Sequence, residues 1–251
     1  LKEPDVVLER ARFLPRLADR VRALGGRLTF GHRLERLVND NGTPTLAFQT
    51  AEGMREVPAA AVLGADGVES TVARAVGQDT LAHVAIHQVR VPLPPDLPPD
   101  TVRIWFDRAS TRFFYWLIPE SSTTGALGLI AETSTQAERA LAHFLAARDW
   151  APIAAQPEQE AEVPLYPLRA LPDATAWGQR VLLLGDAAGQ VKVTTVGGMV
   201  TGMRGGAAAA RALRRGTAYA AELRQLHREL LAHTVVRHVL DGFTDAAYDR
   251  L

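Results

Sequence analysis

Phe13, Leu14, Leu17, Val21 and Leu24 recur at the spacing of one helix face, and Gly25-Gly26 after them supplies a helix end. Leu28 to Phe30 and Leu34 to Val38 read as strands. Asp40-Asn41-Gly42 and Ala51-Glu52-Gly53 read as hairpin turns. Together they predict a three-stranded meander that returns to a sheet at Val62. From His83 to about Leu168 the pattern is strand-rich: His83 to Val91, Val102 to Phe106, Arg112 to Ile118, Gly125 to Ala131 and Val163 to Leu168. One helical stretch, about Thr135 to Arg148, interrupts it, with Ser134 as its candidate N-cap. Pro92 to Pro99 holds five prolines and reads as a stiff surface loop. Val181 to Leu184 is a short, wholly apolar strand. A helix starts near Gly198 and carries a small face, Gly198, Gly202, Gly205 and Ala209, which predicts close backbone packing. Ala218 to Leu240 is a charged, amphipathic helix, either on the protein surface or lying near lipid.

Composition narrows the classes. A chain of 251 residues can bury a sizeable core in one or two domains. The formal net charge is zero, which gives no electrostatic case for nucleic acid. With no cysteine, disulfides, thiolate metal sites and cysteine catalysis are excluded, and a cytoplasmic location fits. No apolar run reaches the length of a membrane-spanning helix. The seven histidines are scattered at spacings that form no metal set, and we read them as structural.

The segment from Arg180 to Gly206, RVLLLGDAAGQVKVTTVGGMVTGMRGG, is the most informative. A buried strand delivers Asp186 to its C-terminal end, where ligands bind in open α/β sheets. Gly185 and its small neighbours let a ligand reach the backbone. Gly197-Gly198 then opens a helix whose free N–H groups and positive dipole end suit an anionic group. A carboxylate for a sugar hydroxyl beside a helix start for an anion fits a nucleotide-type cofactor. An ordinary strand–turn–helix with an exposed aspartate is the other reading.

This segment resembles the second flavin fingerprint of the group A flavoprotein family, which includes aromatic hydroxylases, halogenases and geranylgeranyl reductases. The resemblance implies that Asp186 binds the ribityl chain of FAD. It also implies that Val196, Gly197, Gly198 and Met199 lie against the pyrimidine end of the flavin. Gly-Asp-Ala-Ala-Gly-Gln-Val-Lys, then Thr-Thr, Gly-Gly and Arg-Gly-Gly, looks closest to the geranylgeranyl reductase branch, although proline is usual there at Val193. Lys192, on the same loop, would meet a phosphate or a reduced flavin, or else face solvent.

Two further stretches agree with the resemblance. Val62 to Ala65 is an apolar strand ending in Asp66-Gly67, with Ser70 and Arg74 in the helical stretch that follows; Asp66 and Ser70 are natural caps. This resembles the family's Asp-Gly motif near the cofactor pyrophosphate. The arginine comes one residue later than in the hydroxylases. Phe113 to Pro119, FFYWLIP, reads as a strand and resembles the reductase substrate-site pattern, placing Phe114, Trp116 and Pro119 at the substrate. Ile118 fits the halogenase version better, and a core strand is the plain alternative.

The first FAD fingerprint, Gly-x-Gly-x-x-Gly after a strand, is absent. Residues 6 to 38 resemble the family segment that follows it, with Arg10 and Phe13 on a linker-helix pattern Arg-x-x-Phe. The expectation is therefore an internal fragment of a longer flavoprotein. The expected fold class is α/β (α+β): an incomplete FAD/NAD(P)-binding-type domain from 1–80 and 178–215, an inserted antiparallel substrate domain from 81–177, and a helical region from 216–251. The resemblance implies FAD as cofactor, NAD(P)H as reductant and reduction of C=C bonds in a prenyl lipid, with room for peripheral membrane contact. An FAD-dependent aromatic hydroxylase or halogenase is the alternative enzyme, and a non-catalytic lipid-binding fragment the alternative outside enzymes. No catalytic residue is assigned, and oligomeric state stays open.

Overall fold

A computed structural model describes residues 7–153, 159–165, 175–178 and 180–250. The chain runs α1 (Arg10–Ala23), β1 (Arg33–Asp40), β2 (Thr43–Thr50), β3 (Gly53–Pro58), β4 (Val62–Gly64) and α2 (Thr71–Ala75). It continues through β5 (His83–Pro92), β6 (Arg103–Trp105), β7 (Tyr115–Pro119), β8 (Thr124–Ala131) and α3 (Ser134–Ala146). It ends in β9 (Gln159–Pro164), β10 (Thr175–Ala176), β11 (Val181–Leu183), α4 (Met199–Arg215), α5 (Tyr219–Asp241) and α6 (Asp245–Tyr248).

The strands form three sheets. β1-β2-β3 is an antiparallel meander, and β10-β11-β4 has β11 and β4 parallel; the largest sheet has the order β6-β7-β8-β5-β9 and is antiparallel throughout. This mixture is the α/β (α+β) class expected from the sequence. Asn41 and Gly42 both take left-handed backbone in the first hairpin, as an Asn-Gly turn requires. Arg180 donates to the Gly42 carbonyl at 2.8 Å and fastens the meander to the start of β11.

Alternation divides the five-stranded sheet into two faces. Tyr115 and Leu117 of β7, with Ala85 and Val89 of β5 and Leu127 and Leu129 of β8, turn toward α3. There Tyr115 stacks on Phe144 with ring centroids 4.3 Å apart. Trp116 and Ile118 turn the other way. On that opposite face Val84, Ile130 and Val163 meet Val191 and Val196 from the segment after β11.

α4 and α5 pack together over the parallel pair. The small face of α4 proves to be a set of close approaches: a Cβ at Gly198 would stand 2.9 Å from Asp186 Oδ1, one at Gly202 would stand 3.3 Å from the Gly185 Cα, and one at Gly205 would overlap the Gln190 amide. α5 buries Tyr219, Leu223, Leu226, Leu230, Thr234 and Arg237, a stripe at helical spacing.

Several boundaries differ from the sequence expectation. Leu28 to Phe30 form no strand, and Phe30 is largely exposed. α1 ends as expected: Gly25 is left-handed, and Gly25 and Gly26 N–H bond to Arg22 and Val21 carbonyls at 2.9 Å. Its apolar stripe, however, faces solvent, and the helix buries no residue. The N-cap of α3 is Thr133, whose hydroxyl accepts from Gln136 N–H at 3.2 Å. Ser134 is the first helical residue instead, with its hydroxyl 2.8 Å from His87 Nε2. Phe113 and Phe114 lie just before β7, because Thr111 turns the chain there by bonding to the Ile130 carbonyl and the Phe113 N–H. β9 begins earlier than its apolar core, at polar Gln159. The end of the expected strand, residues 166–168, lies outside the described residues.

Candidate functional site

β4 and β11 pair in parallel, with Gly64 opposite Leu183. Their C-terminal ends therefore release Asp66-Gly67 and Gly185-Asp186 side by side. Gly64 has no room for a side chain, since a Cβ would stand 2.8 Å from Val72 and 2.9 Å from Leu183. α2 thus sits directly on the two strands.

After β11 the chain turns through a short 3-10 segment, Gly185–Ala188, bounded by left-handed Gly185 and Gly189. Gln190 holds this turn. Its Oε1 accepts from Gly185 N–H at 2.9 Å, and its amide nitrogen donates to the Tyr219 hydroxyl at 3.0 Å. Tyr219 donates in turn to the Leu183 carbonyl at 3.0 Å. Thr201 of α4 donates to the Gln190 carbonyl. Burial pushes the Tyr219 hydroxyl up to about 12, so it stays protonated as a donor.

Asp186 is half-buried, and its carboxylate lies against Gly198 at the start of α4. Desolvation raises its pKa from the ordinary value, and the Arg10 charge at the head of α1 offsets part of that rise. Its carboxylate accepts no hydrogen bond from the described residues. Partly desolvated and with no donor among the described residues, it suits a ligand that donates hydroxyl groups. From Val191 to Gly198 the loop closes on itself through Lys192 N–H to Gly197 carbonyl at 3.1 Å. The Lys192 chain lies over Gly197, with Cε 3.8 Å from where a Cβ would stand. Val196 is buried and left-handed, with φ 51°. A β-branched residue there is a strained outlier of the kind found at ligand clamps. Met199 opens α4 at the surface.

The structure thus brings Gly185, Asp186, Lys192, Val196, Gly197, Gly198 and Met199 into one segment, with Asp66 and Gly67 at the adjacent strand end. Asp66 is engaged inside the chain. It accepts from Ser70 Oγ at 2.6 Å and from Val72 N–H at 3.1 Å, while Ser70 caps α2 through Ala73 N–H at 2.8 Å. Arg74 folds back on Glu69 and Thr71, at 2.9 and 3.1 Å, and is exposed. Gly67 is left-handed with open space beside it, so a ligand can approach its backbone.

Phe114 and Trp116 pack against the cluster that contains Val191 and Val196. The aromatic face and the Asp186–Gly198 segment therefore border the same buried cluster. Their rings meet edge-on at 6.1 Å, and Trp116 Nε1 donates to Gln88 Oε1 at 3.3 Å. Gly128 gives Trp116 its place, since a Cβ there would overlap the indole. Pro119 is not brought to this face. It pairs with Gly125 at the far end of β7, about 10 Å further along and on the opposite side of the pleat.

A family model described as "FAD binding domain" matches residues 5–241. The chain belongs to this family of FAD-dependent oxidoreductases. No curated protein matches it in sequence. Among solved structures, it resembles a geranylgeranyl bacteriochlorophyll reductase-like protein from Thermoplasma acidophilum, with TM-score 0.77 and 18% identity, over 99% of this chain and 68% of that one. It also resembles CmlS, a flavin-dependent halogenase, with TM-score 0.65 and 17% identity, over 93% of this chain and 45% of that one. OxyS, an anhydrotetracycline hydroxylase from Streptomyces rimosus, superposes with TM-score 0.56 and 22% identity, over 93% of this chain and 50% of that one. The chain spans about half the length of the last two.

Membership fits the geometry. In an FAD binding domain, a desolvated carboxylate without a hydrogen-bond donor, beside a helix start and a glycine-lined turn, suits a polyhydroxylated cofactor. Among the described residues there is no cluster that could hold a metal ion, and no helix is long and apolar enough to cross a membrane. Sequence reasoning missed Gln190, Thr201 and Tyr219, whose bonds link positions up to 36 residues apart. It also missed the influence of Arg10 on Asp186, although Arg10 lay on the linker-helix pattern.

Proposed function

We propose that this flavoprotein chain acts as a geranylgeranyl reductase-like enzyme. It would take hydride equivalents from NAD(P)H through FAD and saturate C=C bonds of a prenyl lipid. The observation that carries the reading is the apolar face of Phe114 and Trp116, which packs against the buried cluster that Val191 and Val196 of the candidate cofactor segment help to form. Bound FAD would supply the hydride-transfer chemistry.

The chain's own residues do the rest. Asp186 would accept hydrogen bonds from cofactor hydroxyls, and Gly197-Gly198 would present free N–H groups to a developing negative charge, an effect of about 0.3–2 kcal/mol. Lys192 would add a positive charge at the same place. The indole of Trp116 and ring of Phe114 would exclude water and hold an aliphatic chain by area rather than by hydrogen bonds. A prenyl substrate would also bring the protein into peripheral membrane contact, which belongs to this proposal.

A second reading, an oxygen-using hydroxylase or halogenase, draws on Ile118 and on the fold shared with CmlS and OxyS. The two separate in one assay: anaerobic saturation of a polyprenyl alkene supports the reductase, while oxygen-dependent modification of an aromatic ring overturns it. In the FAD-loaded protein, Trp116→Ala should lose about 3 kcal/mol of aromatic packing toward the prenyl chain. Prenyl turnover should fall while flavin reduction by the nicotinamide nucleotide stays near normal. Equal loss in both half-reactions would return Trp116 to a core role.

A further inference from the structure

The strained turn at Val196 needs an external hold, because left-handed backbone at a β-branched residue persists only where its surroundings over-determine it. Within the loop, the backbone bond from Lys192 to Gly197 closes the turn, and Val191 and Val196 are buried. Among the described residues, one side-chain bond leaves the middle of the loop for another element. The Thr194 hydroxyl lies 2.8 Å from His233 Nδ1 on α5, and both residues are half-buried.

One helical turn on, at the i+4 position, α5 carries Arg237. Arg237 is buried, donates to the Arg112 carbonyl at 3.1 Å and covers the Phe113 ring at 5.1 Å. Phe113 directly precedes Phe114 of the aromatic face. At its C-terminal end α5 is held again, by Arg108 donating to the Asp241 carbonyl at 2.9 Å. The same helix is therefore bonded to the cofactor loop through His233 and to the root of the aromatic wall through Arg237.

We propose that His233 is a positioning residue, and that α5 acts as a splint fixing the cofactor turn in register with the substrate wall. The proposal rests on reading residues 185–199 as the flavin-facing segment, but not on the identity of the substrate. Neither proton of a reaction nor any bond change is assigned to His233; its imidazole holds Thr194 so that Val191 and Val196 stay in the cluster on which Phe114 and Trp116 pack.

The test compares His233→Leu, which removes the bond, with His233→Asn, whose side-chain amide can donate to or accept from the Thr194 hydroxyl in place of ring Nδ1. Two readouts are used, both independent of turnover: amide hydrogen exchange of residues 192–198 in the chain itself, and FAD affinity in the flavin-loaded protein. His233→Leu should speed exchange in the loop and weaken FAD binding about 3- to 10-fold, the worth of one hydrogen bond. His233→Asn should restore both toward the parent. Unchanged exchange in His233→Leu, or no rescue by His233→Asn where Leu has an effect, overturns the proposal. Failure of prenyl turnover would sink the reductase reading and leave this result standing, since neither readout involves substrate.

Discussion

On the five-stranded sheet, α3 covers one face so well that Leu127, Leu129 and Tyr115 are fully buried beneath it. Around the parallel pair the covering is uneven. α4 and α5 seal one side with Ala208, Ala209 and Leu230, yet α1 buries nothing, Leu24 and Phe30 stand 71% and 78% exposed, and among the described residues β4 is a sheet edge with Leu63 half in solvent. Parallel strands are ordinarily covered on both faces. The contrast teaches where the chain's stability resides: the aromatic sheet is a finished core, whereas the half around the parallel pair leaves apolar surface and a half-buried carboxylate open to a ligand.

The largest test of that contrast is Phe144→Ala. Phe144 is buried against Tyr115 and lies under the Arg148 guanidinium at 3.6 Å. Removing it should cost about 3–5 kcal/mol, read by urea denaturation. A loss below about 1 kcal/mol would mean that α3 is not the main cover of the sheet.

Asp186 tests the other half. In the FAD-loaded protein, Asp186→Ala should weaken flavin binding by about 1–3 kcal/mol; unchanged affinity removes the role assigned to it. Without ligand the same residue should work against folding. Its folded-state pKa is raised, chiefly by desolvation, so the native state holds the proton more tightly than the unfolded chain. The contribution is then most favourable at pH below the unfolded value near 3.9 and is lost as pH rises through the raised folded value. Asp186→Asn should accordingly make the ligand-free chain more stable than the parent above that window and no more stable below it. Urea midpoints across pH decide this, and a parent that gains on the variant as pH rises would contradict it.

The smallest effect is expected on α1. Leu14→Ser removes an apolar side chain that is 51% exposed, and should change the stability of this chain by no more than about 0.5 kcal/mol. A cost above 1 kcal/mol would show that the helix face is covered in solution.

Much of this division was legible in the sequence. Apolar, aromatic and β-branched runs marked β5, β7 and β8, and the Asn-Gly pair fixed the first hairpin, because strand propensity and backbone handedness are local properties. Asp186 and the Gly197-Gly198 helix start were legible for the same reason. Thr133 was passed over for Ser134 because both are good caps, and only the tertiary bond to His87 decides between them. Pro119 was grouped with Trp116 by resemblance, although strand alternation sends them to opposite faces. Gln190 and His233 could not be read at all, since their partners, Tyr219 and Thr194, become neighbours only when α5 crosses the loop.

β4 and β11 are neighbours in space but some 120 residues apart along the chain. The entry and exit of the intervening sheet are themselves paired, His83 opposite Pro164, with Leu165 N–H bonded to the Ala82 carbonyl at 2.6 Å. Once that sheet has formed, the two parallel strands search for each other across a tether of a few dozen residues instead of the whole interval. The chain entropy of closure then falls by about 1 kcal/mol. This connectivity implies an order of assembly: the middle of the polypeptide nucleates first, and the ends of β4 and β11, with Asp66 and Asp186 on them, meet late, on a framework that the middle has already built.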